Sequence, residues 1–418
     1  MKLFFLLTEV LIYVAAYFIL SKKKDLGIIY IPVLVFAHTV ITPVLPIACF
    51  YAVVTIIVFV IINRNYALFS HNAFAVVLFL YYIILIPDSI HTLKLGLIFP
   101  VLLFFISLPL INNIYRQYSY KTIFKELTNA SLLILLVFIA NTIFATLFKF
   151  SPYSMYGISN GIFYGNLIFT SFNVVAIALF VVLLRILQKS NIAMIAIYII
   201  AIAFILLTLR RSVMMASIIG IPFAVISTLT PKTAKKVIFF LSFTAVVGAT
   251  LYYQSDFASV FKERYELRNL DNRELEEEKR FFEYEMLYKD MFVLKAYSPW
   301  LGFGLFNSAG NYGQGVFYER TLHGDLPSIA HSSGLIGVGL YLLMILTAFF
   351  IALKACRTRA DTMTVFYCFI VFTIYTITGR YTQADSMLLL FLVCNLSLTK
   401  KEKETEEVEL EEEITVGY

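Results

Sequence analysis

Charge is scarce in this chain. Asp, Glu, Lys and Arg make up 14% of its 418 residues, whereas 60% are hydrophobic. Soluble domains average about 25% charged and about 45–50% apolar, so a water-soluble globule, a disordered chain and a protein with one membrane anchor are excluded. Strict alternation of apolar and polar residues is also missing, which excludes an outer-membrane barrel. Cysteine is sparse. Cys49, Cys356, Cys368 and Cys394 lie in or beside apolar runs without paired metal-ligand spacing and read as small hydrophobes in a helical bundle. The start of the chain lacks a basic n-region followed by a small-residue cleavage site, so the first apolar run is expected to stay as a span. The net charge of +6 is scattered in short clusters and forms no phosphate-tracking patch, so nucleic acid is not an expected partner.

What the chain has is apolar runs of about 18 residues or more, each able to cross a ~30 Å hydrocarbon core. They predict an all-α, polytopic transmembrane helical bundle of about 12–13 spans. The spans fall near residues 3–20, 26–41, 44–62, 66–87, 95–111, 131–148, 163–184, 192–209, 212–229, 237–253, 334–353, 362–378 and 387–398. Pro43 and Pro46 divide the continuous apolar stretch 26–62, because proline removes a helix donor and clashes with the preceding turn. This gives a bundle over residues 1–253, an external and mostly helical loop over 254–333, C-terminal spans over 334–398 and an acidic tail over 399–418.

Lys and Arg set the expected orientation. Lys22–Lys24, Arg64, Arg116/Lys121/Lys125, Arg185/Lys189, Lys232/Lys235/Lys236, Lys354/Arg357/Arg359 and Lys400/Lys401/Lys403 all fall on one side when thirteen spans are counted. That side is expected to be cytoplasmic, with the N-terminus outside and the C-terminus inside. The loop from Asp256 to His331 then lies outside, with nine Lys/Arg against thirteen Asp/Glu. The tail, with eight glutamates and three lysines, reads as a solvated extension.

Against that rule, Arg210-Arg211 and Arg380 fall on the external side. An arginine at a membrane boundary is costly unless it is paired, snorkels to headgroups or faces a polar cavity. One reading has these guanidiniums on lipid phosphates, Asp385 or loop carboxylates; the other makes them an anion site, since a planar fork holds phosphate oxygens bidentately. Asn166, Thr170 and Asn173 are spaced along one face of the expected seventh span, and Glu9 and His71-Asn72 interrupt others. Interhelical hydrogen bonding accounts for most such residues.

Residues 256–297 read as helix, since no proline or glycine occurs there and strong helix formers dominate. Phe281, Tyr284, Tyr288, Met291 and Phe292 form a stripe at three- and four-residue steps that could rest on the bilayer interface or cap the bundle. Arg273 and Arg280 lie seven apart with Glu276, Glu277 and Glu283 at pairing distance along the helix. Then come Ser298-Pro299-Trp300-Leu301-Gly302-Phe303-Gly304, with the only tryptophan, a flexible Asn311–Gly315 loop, and His323-Gly324-Asp325. Gly334-Leu335-Ile336-Gly337 opens the next span, eleven residues after His323.

At these residues the chain resembles the O-antigen ligase/polymerase superfamily of bacterial envelope glycan enzymes. In that pattern a histidine and a short polar stretch precede Gly-Leu-Ile-Gly at a span entry, as His323 and Gly334–Gly337 do. Pro299, Gly302 and Gly304 match an upstream Pro-x-x-Gly-x-Gly element, and Arg211-Ser212 matches an Arg-Ser/Gly-small span entry. The likeness covers roughly residues 205–345. The chain departs at Gly324, where asparagine is often found. It also has no tryptophan before Pro299, where Arg-x-x-x-Trp is frequent, which leaves Arg273 and Arg280 as alternative loop arginines.

The resemblance implies a GT-C-like, inverting glycosyltransferase on the outer face of the cytoplasmic membrane, without metal or other cofactor. Its donor would be an oligosaccharide on undecaprenyl pyrophosphate and its acceptor a sugar hydroxyl. His323 would take the acceptor proton, since imidazole titrates nearest neutral pH. Arg211, Arg280, Arg273, Arg210 and Arg380 would hold the pyrophosphate, and Asp325, Gly302, Gly304 and Trp300 would complete substrate binding. Expected partners are the lipid-linked glycan, membrane lipids and a chain-length regulator protein. A polymerase is favoured over a ligase that moves finished glycan onto lipid A-core or protein. A lipid-linked glycan flippase is disfavoured because no internal repeat is visible, and a non-catalytic scaffold is a further alternative.

Overall fold

Inside a bilayer no water meets backbone N–H and C=O groups, so apolar runs must satisfy them internally as helices. The computed structural model describes residues 2–65, 68–89, 95–152, 161–168, 170–189, 191–208, 210–230, 279–318, 320–379 and 381–400, with isolated helical positions at 235, 238, 242 and 246. Among these residues there is no named β-strand. The helices are α1 (Lys2–Phe18), α2 (Ile31–Val40), α3 (Ile47–Arg64), α4 (Leu68–Leu85), α5 (Leu95–Tyr115), α6 (Tyr120–Leu147), α7 (Asn173–Gln188), α8 (Ile192–Leu207) and α9 (Arg211–Thr228). After them come α10 (Lys279–Tyr288), α11 (Asp325–Ala355), α12 (Arg359–Thr378) and α13 (Ala384–Cys394). Seven described segments are long and apolar enough to cross a membrane, and four shorter apolar helices accompany them. The chain is an all-α, multi-pass membrane protein.

Local chemistry sets the ends of these helices. Ser119 and Asn191 accept from backbone N–H groups at the starts of α6 and α8, and Thr358 with Asp361 forms a capping box on α12. Gly379 closes α12 in the left-handed region. Pro43 and Pro46 fall in the break between α2 and α3. The seventh span requires correction. It begins at Asn173, so Asn166 and Thr170 lie in the turns before it, where Gly161 and Gly165 have positive φ. There Asn166 Nδ2 donates to the Val40 carbonyl at 3.1 Å. The expected tenth span, 237–253, lies outside the described residues except at 238, 242 and 246.

Helices that are apolar all round belong at the centre of a bundle. Almost every residue of α7 and every residue of α13 is buried, and α13 packs against α2, α5 and α7. By contrast α1 presents Leu3, Leu7, Val10, Leu11 and Tyr17 outward. Around the centre, α9 packs on α7 and α12, while α11 packs on α4 and α12.

Contacts between helix ends define two faces. Glu9 of α1 accepts from the Val44 backbone N–H at 2.8 Å, so α1 and α2 form a hairpin that turns at Lys22–Lys24. On the turn's face, Arg64 approaches Asp25 at 3.8 Å, Lys23 pairs with Glu126 at 2.6 Å, and the Lys400 backbone N–H donates to the Tyr118 carbonyl at 3.0 Å. Arg359, at the start of α12, donates to the Leu229 carbonyl just after α9. The described basic clusters thus gather at one face. At the other face lie Glu9, Ser89, Asn166, the start of α9 and the segment 279–325.

Candidate functional site

The segment at the second face is built on a backbone crossing. α11 is two helices joined at Gly334, whose φ of 64° and ψ of −168° lie in a region essentially reserved for glycine. The second half begins at Leu335 with amide groups that no preceding turn can satisfy. Leu335 N–H donates to the Pro299 carbonyl at 2.8 Å and Ile336 N–H reaches the Trp300 carbonyl at 3.4 Å. In return Phe303 N–H donates to the His331 carbonyl at 2.7 Å. A β-carbon at 334 would stand 2.1 Å from the Trp300 carbonyl oxygen, and one at 302, where φ is 79°, would stand 2.6 Å from that of His331. The two glycine elements, separated by thirty residues, are therefore halves of one structural joint. Gly304 continues it: the neighbouring Leu305 N–H donates to Ser89 Oγ at 2.8 Å. Trp300 contributes its carbonyl to the joint and leaves its ring 61% exposed.

His323 stands in the turn that leads into α11, with its side chain 41% exposed. Its backbone N–H donates to Glu283 Oε2 at 2.8 Å, and its Nδ1 lies 3.2 Å from Glu283 Oε1. Arg320 completes the group, with Nη2 2.7 Å from the same Oε1 and Nε 3.2 Å from His323 Nδ1. Nδ1 thus has a carboxylate acceptor on one side and a guanidinium donor on the other, so the ring tautomer decides which bond forms. Burial works against the ionised form of Glu283, whose side chain is 1% exposed. The hydrogen bonds from the His323 ring and backbone and the charge of Arg320 outweigh it and hold the carboxyl below its usual range.

Glu283 is placed there by α10. The inward side of α10 and of the π-helical turn Lys289–Val293 that follows it carries Glu283, Leu287, Asp290 and Met291. Leu287 and Met291 join Tyr312 and Leu322 in a small core separate from the bundle's, and Asp290 Oδ2 accepts from Gly313 N–H at 2.6 Å. Of the expected aromatic stripe, only Met291 is buried; Tyr284, Tyr288 and Phe292 are exposed, and the Phe281 side chain lies outside the described residues. Glu283, at pairing distance from Arg280 on its own helix, binds Arg320 and His323.

Asp325, two residues after His323, is fully buried and accepts from the Tyr381 backbone N–H at 3.0 Å. It does not serve His323. Gly379, at the end of α12, packs on the same turn, since a β-carbon there would meet the His323 carbonyl at 3.2 Å. Arg380, between these two contacts, lies outside the described residues, as does Arg273. Arg280 lies in α10, and its side chain is outside the description.

Arg211 opens α9 and is exposed, and Arg210 before it is half-buried. α9 and α12 are antiparallel, because the end of α9 meets the start of α12 at Arg359. With 18 and 20 residues at ~1.5 Å per residue, they match in length. The start of α9 is therefore level with Gly379, so Arg211 and His323 share a face of the bundle. Arg211 also sits at a helix N-terminus, where free amide groups and the helix dipole favour an anion. Among the described residues no three His, Cys, Asp or Glu side chains gather as metal ligands would.

The site thus consists of an accessible imidazole oriented by a buried carboxylate, at the face of a membrane bundle that also carries an arginine-bearing helix start. Residues 196–342 match the family model described as O-antigen ligase, which supports the likeness to the O-antigen ligase/polymerase superfamily. The matched stretch runs from within α8 through Arg211 and His323 to the second half of α11. No curated protein matches the chain.

Proposed function

We propose that the chain is a GT-C-like, inverting and metal-independent glycosyltransferase that polymerises undecaprenyl-pyrophosphate-linked oligosaccharide units. It works at the outer face of the cytoplasmic membrane, with the N-terminus outside and the C-terminus cytoplasmic. Basic loops mark the cytoplasmic side of membrane proteins. The described basic clusters lie opposite His323, which supports an outward-facing site. The single observation that carries the reading is the Glu283–His323 pair, on the bundle face that also bears Arg211.

In the Nδ1–H tautomer, His323 donates to Glu283, and Nε2 keeps its lone pair for the acceptor hydroxyl. The acceptor oxygen attacks the anomeric carbon of the donor sugar from the face opposite the pyrophosphate, and its proton passes to Nε2. A new carbon–oxygen bond forms as the bond to the pyrophosphate oxygen breaks, which inverts the configuration and releases undecaprenyl pyrophosphate. Glu283 stabilises the imidazolium that results, and Arg320 keeps Glu283 ionised. Arg211, supported by Arg210, Arg280 or Arg273 and Arg380, balances charge growing on the leaving group, an effect worth a few kcal/mol per donor, about 3 in well-placed cases. Gly302 and Gly304 act through the backbone joint, and Asp325 fixes the turn that carries His323. A chain-length regulator protein is the expected protein partner.

The family description favours a second reading, in which the finished glycan moves to lipid A-core. One assay separates the two: purified protein is given lipid-linked repeat units, with and without lipid A-core and with and without a chelator. Polymer on undecaprenyl, formed equally in chelator, is the expected product. Product only when lipid A-core is present would establish the ligase, and loss of product in chelator would overturn the metal-free mechanism.

A further inference from the structure

α10 has two unlike sides. Its buried side holds Glu283 against His323 and anchors the small core beneath. Its exposed side carries Tyr284 and Tyr288, and the π-helical turn after it carries Phe292; they are 49%, 60% and 44% exposed. These rings recur every four residues, so on the helical part they rise ~6 Å per step along one side. The Tyr288 and Phe292 ring centroids lie 5.3 Å apart. Beside them Glu285 and Lys289 pair at 2.6 Å with about half of each side chain exposed.

The row starts at the reaction site. The Tyr284 hydroxyl would stand 3.3 Å from a β-carbon at position 324, next to His323. The Pro327 ring lies nearer still to that point, at 2.8 Å, so the hydroxyl packs on the turn that carries His323. Burial, with the Asp325 and Glu283 carboxylates nearby, pushes the Tyr284 phenol up, so it remains a hydrogen-bond donor. From there the rings continue along α10 and the π-helical turn after it.

We infer that Tyr284, Tyr288 and Phe292 form a subsite for the glycan chain, on which successive sugar residues lie as they enter or leave the site. This rests on the reading of the site as a glycosyltransferase. A pyranose ring has an apolar face of C–H groups and a rim of hydroxyls. Aromatic faces flanked by a carboxylate and an ammonium group match both parts, and the ~6 Å step is close to the length of one sugar residue. A helix side lying in lipid would have no use for the Glu285–Lys289 pair, and continuity with the His323 turn puts the row where a glycan chain must pass.

Binding and transfer can be read separately. Oligosaccharides of one to four repeats, released from the source cell's own envelope polysaccharide and freed of lipid, are titrated against the protein in nanodiscs by saturation-transfer NMR. Tyr288→Ala and Phe292→Ala are each expected to weaken the four-repeat ligand about fivefold, as the loss of one aromatic contact does, with single-repeat affinity unchanged. In the polymerisation assay the same variants should make shorter chains while still joining the first two units. Four-repeat affinity equal to the parent's in both variants would overturn the subsite even if polymer still formed. Failure of the parent to make polymer, with ring-dependent binding intact, would instead overturn the proposed reaction and leave the glycan subsite standing. Tyr288→Trp in a Trp300→Phe background adds a control for the bilayer. Fluorescence quenched by brominated lipid would put this side in the membrane and overturn the inference, whereas unquenched fluorescence supports it.

Discussion

The molecule ties a glutamate to a cation at each of its two faces, and the two knots differ in what they leave open. At the basic face Glu126 takes Lys23 Nζ at 2.6 Å and the Tyr30 hydroxyl, and Lys23 also lies over the Tyr30 ring at 5.4 Å. Its cation is a lysine with 34% of its side chain exposed, and the knot joins the first hairpin to α6. At the opposite face Glu283 takes Arg320 at 2.7 Å and the ring and backbone of His323. Here one member is a titratable ring with 41% of its side chain exposed. A buried ion pair is weak evidence for function. What distinguishes a candidate site is a proton-carrying atom that the pair orients without enclosing.

The largest expected effect sharpens this contrast through the joint beneath the outward knot. Gly334→Ala puts a β-carbon 2.1 Å from the Trp300 carbonyl oxygen at a positive φ, so the crossing cannot close. Purified protein should lose all transfer activity, and limited proteolysis should cut within 279–325 while α6 and α7 stay protected. Next comes Glu283→Gln, which keeps size but removes the charge that orients His323. Transfer should fall about 100-fold, within the range for disabled general-base catalysis, with membrane insertion unchanged. Glu126→Gln is the matched change at the other face. It should leave transfer within about twofold yet lower stability by about 1–3 kcal/mol, the cost of an unsatisfied buried partner, read as an earlier thermal unfolding midpoint. A loss of transfer as large as that of Glu283→Gln would erase the distinction between the knots.

The smallest effect is a pH dependence. Glu283 has a folded-state value below its unfolded one. Its stabilisation is therefore complete above the unfolded value, ~4.3, and is lost as pH falls through the depressed folded value. Hydrogen exchange in 279–325 should stay slow at neutral pH and accelerate only in that acidic window. Acceleration beginning near neutral pH would contradict the assignment.

Much of the bundle was legible in the sequence because hydropathy responds to the solvent, and a bilayer leaves a backbone few alternatives. Pro43 and Pro46 marked a true break between α2 and α3, and the described members of the alternating basic clusters gather at one face. Asn166 and Thr170 misled because turn residues before α7 happened to fall at helical spacing. At the site, the spacing of His323, Gly334 and the Pro299–Gly304 element was readable, but its meaning was not. Only the fold shows that Gly302 and Gly334 meet back to back. In the sequence Glu283 reads only as a helical pairing partner, because His323 lies forty residues away and Arg280 stands three residues before it. The aromatic stripe drew attention to the outward side of α10, although the side that packs is marked by Leu287 and Met291 interleaved with two carboxylates.

The central claim, that the outward imidazole takes the acceptor proton, is tested most directly by single-turnover transfer in nanodiscs. His323→Ala is compared with the parent, and donor binding is measured on the same samples. The account predicts that lipid-linked donor binds within about twofold of the parent while transfer falls about 1,000-fold, within the range for loss of a general base. Transfer at the parental rate with donor bound would contradict it.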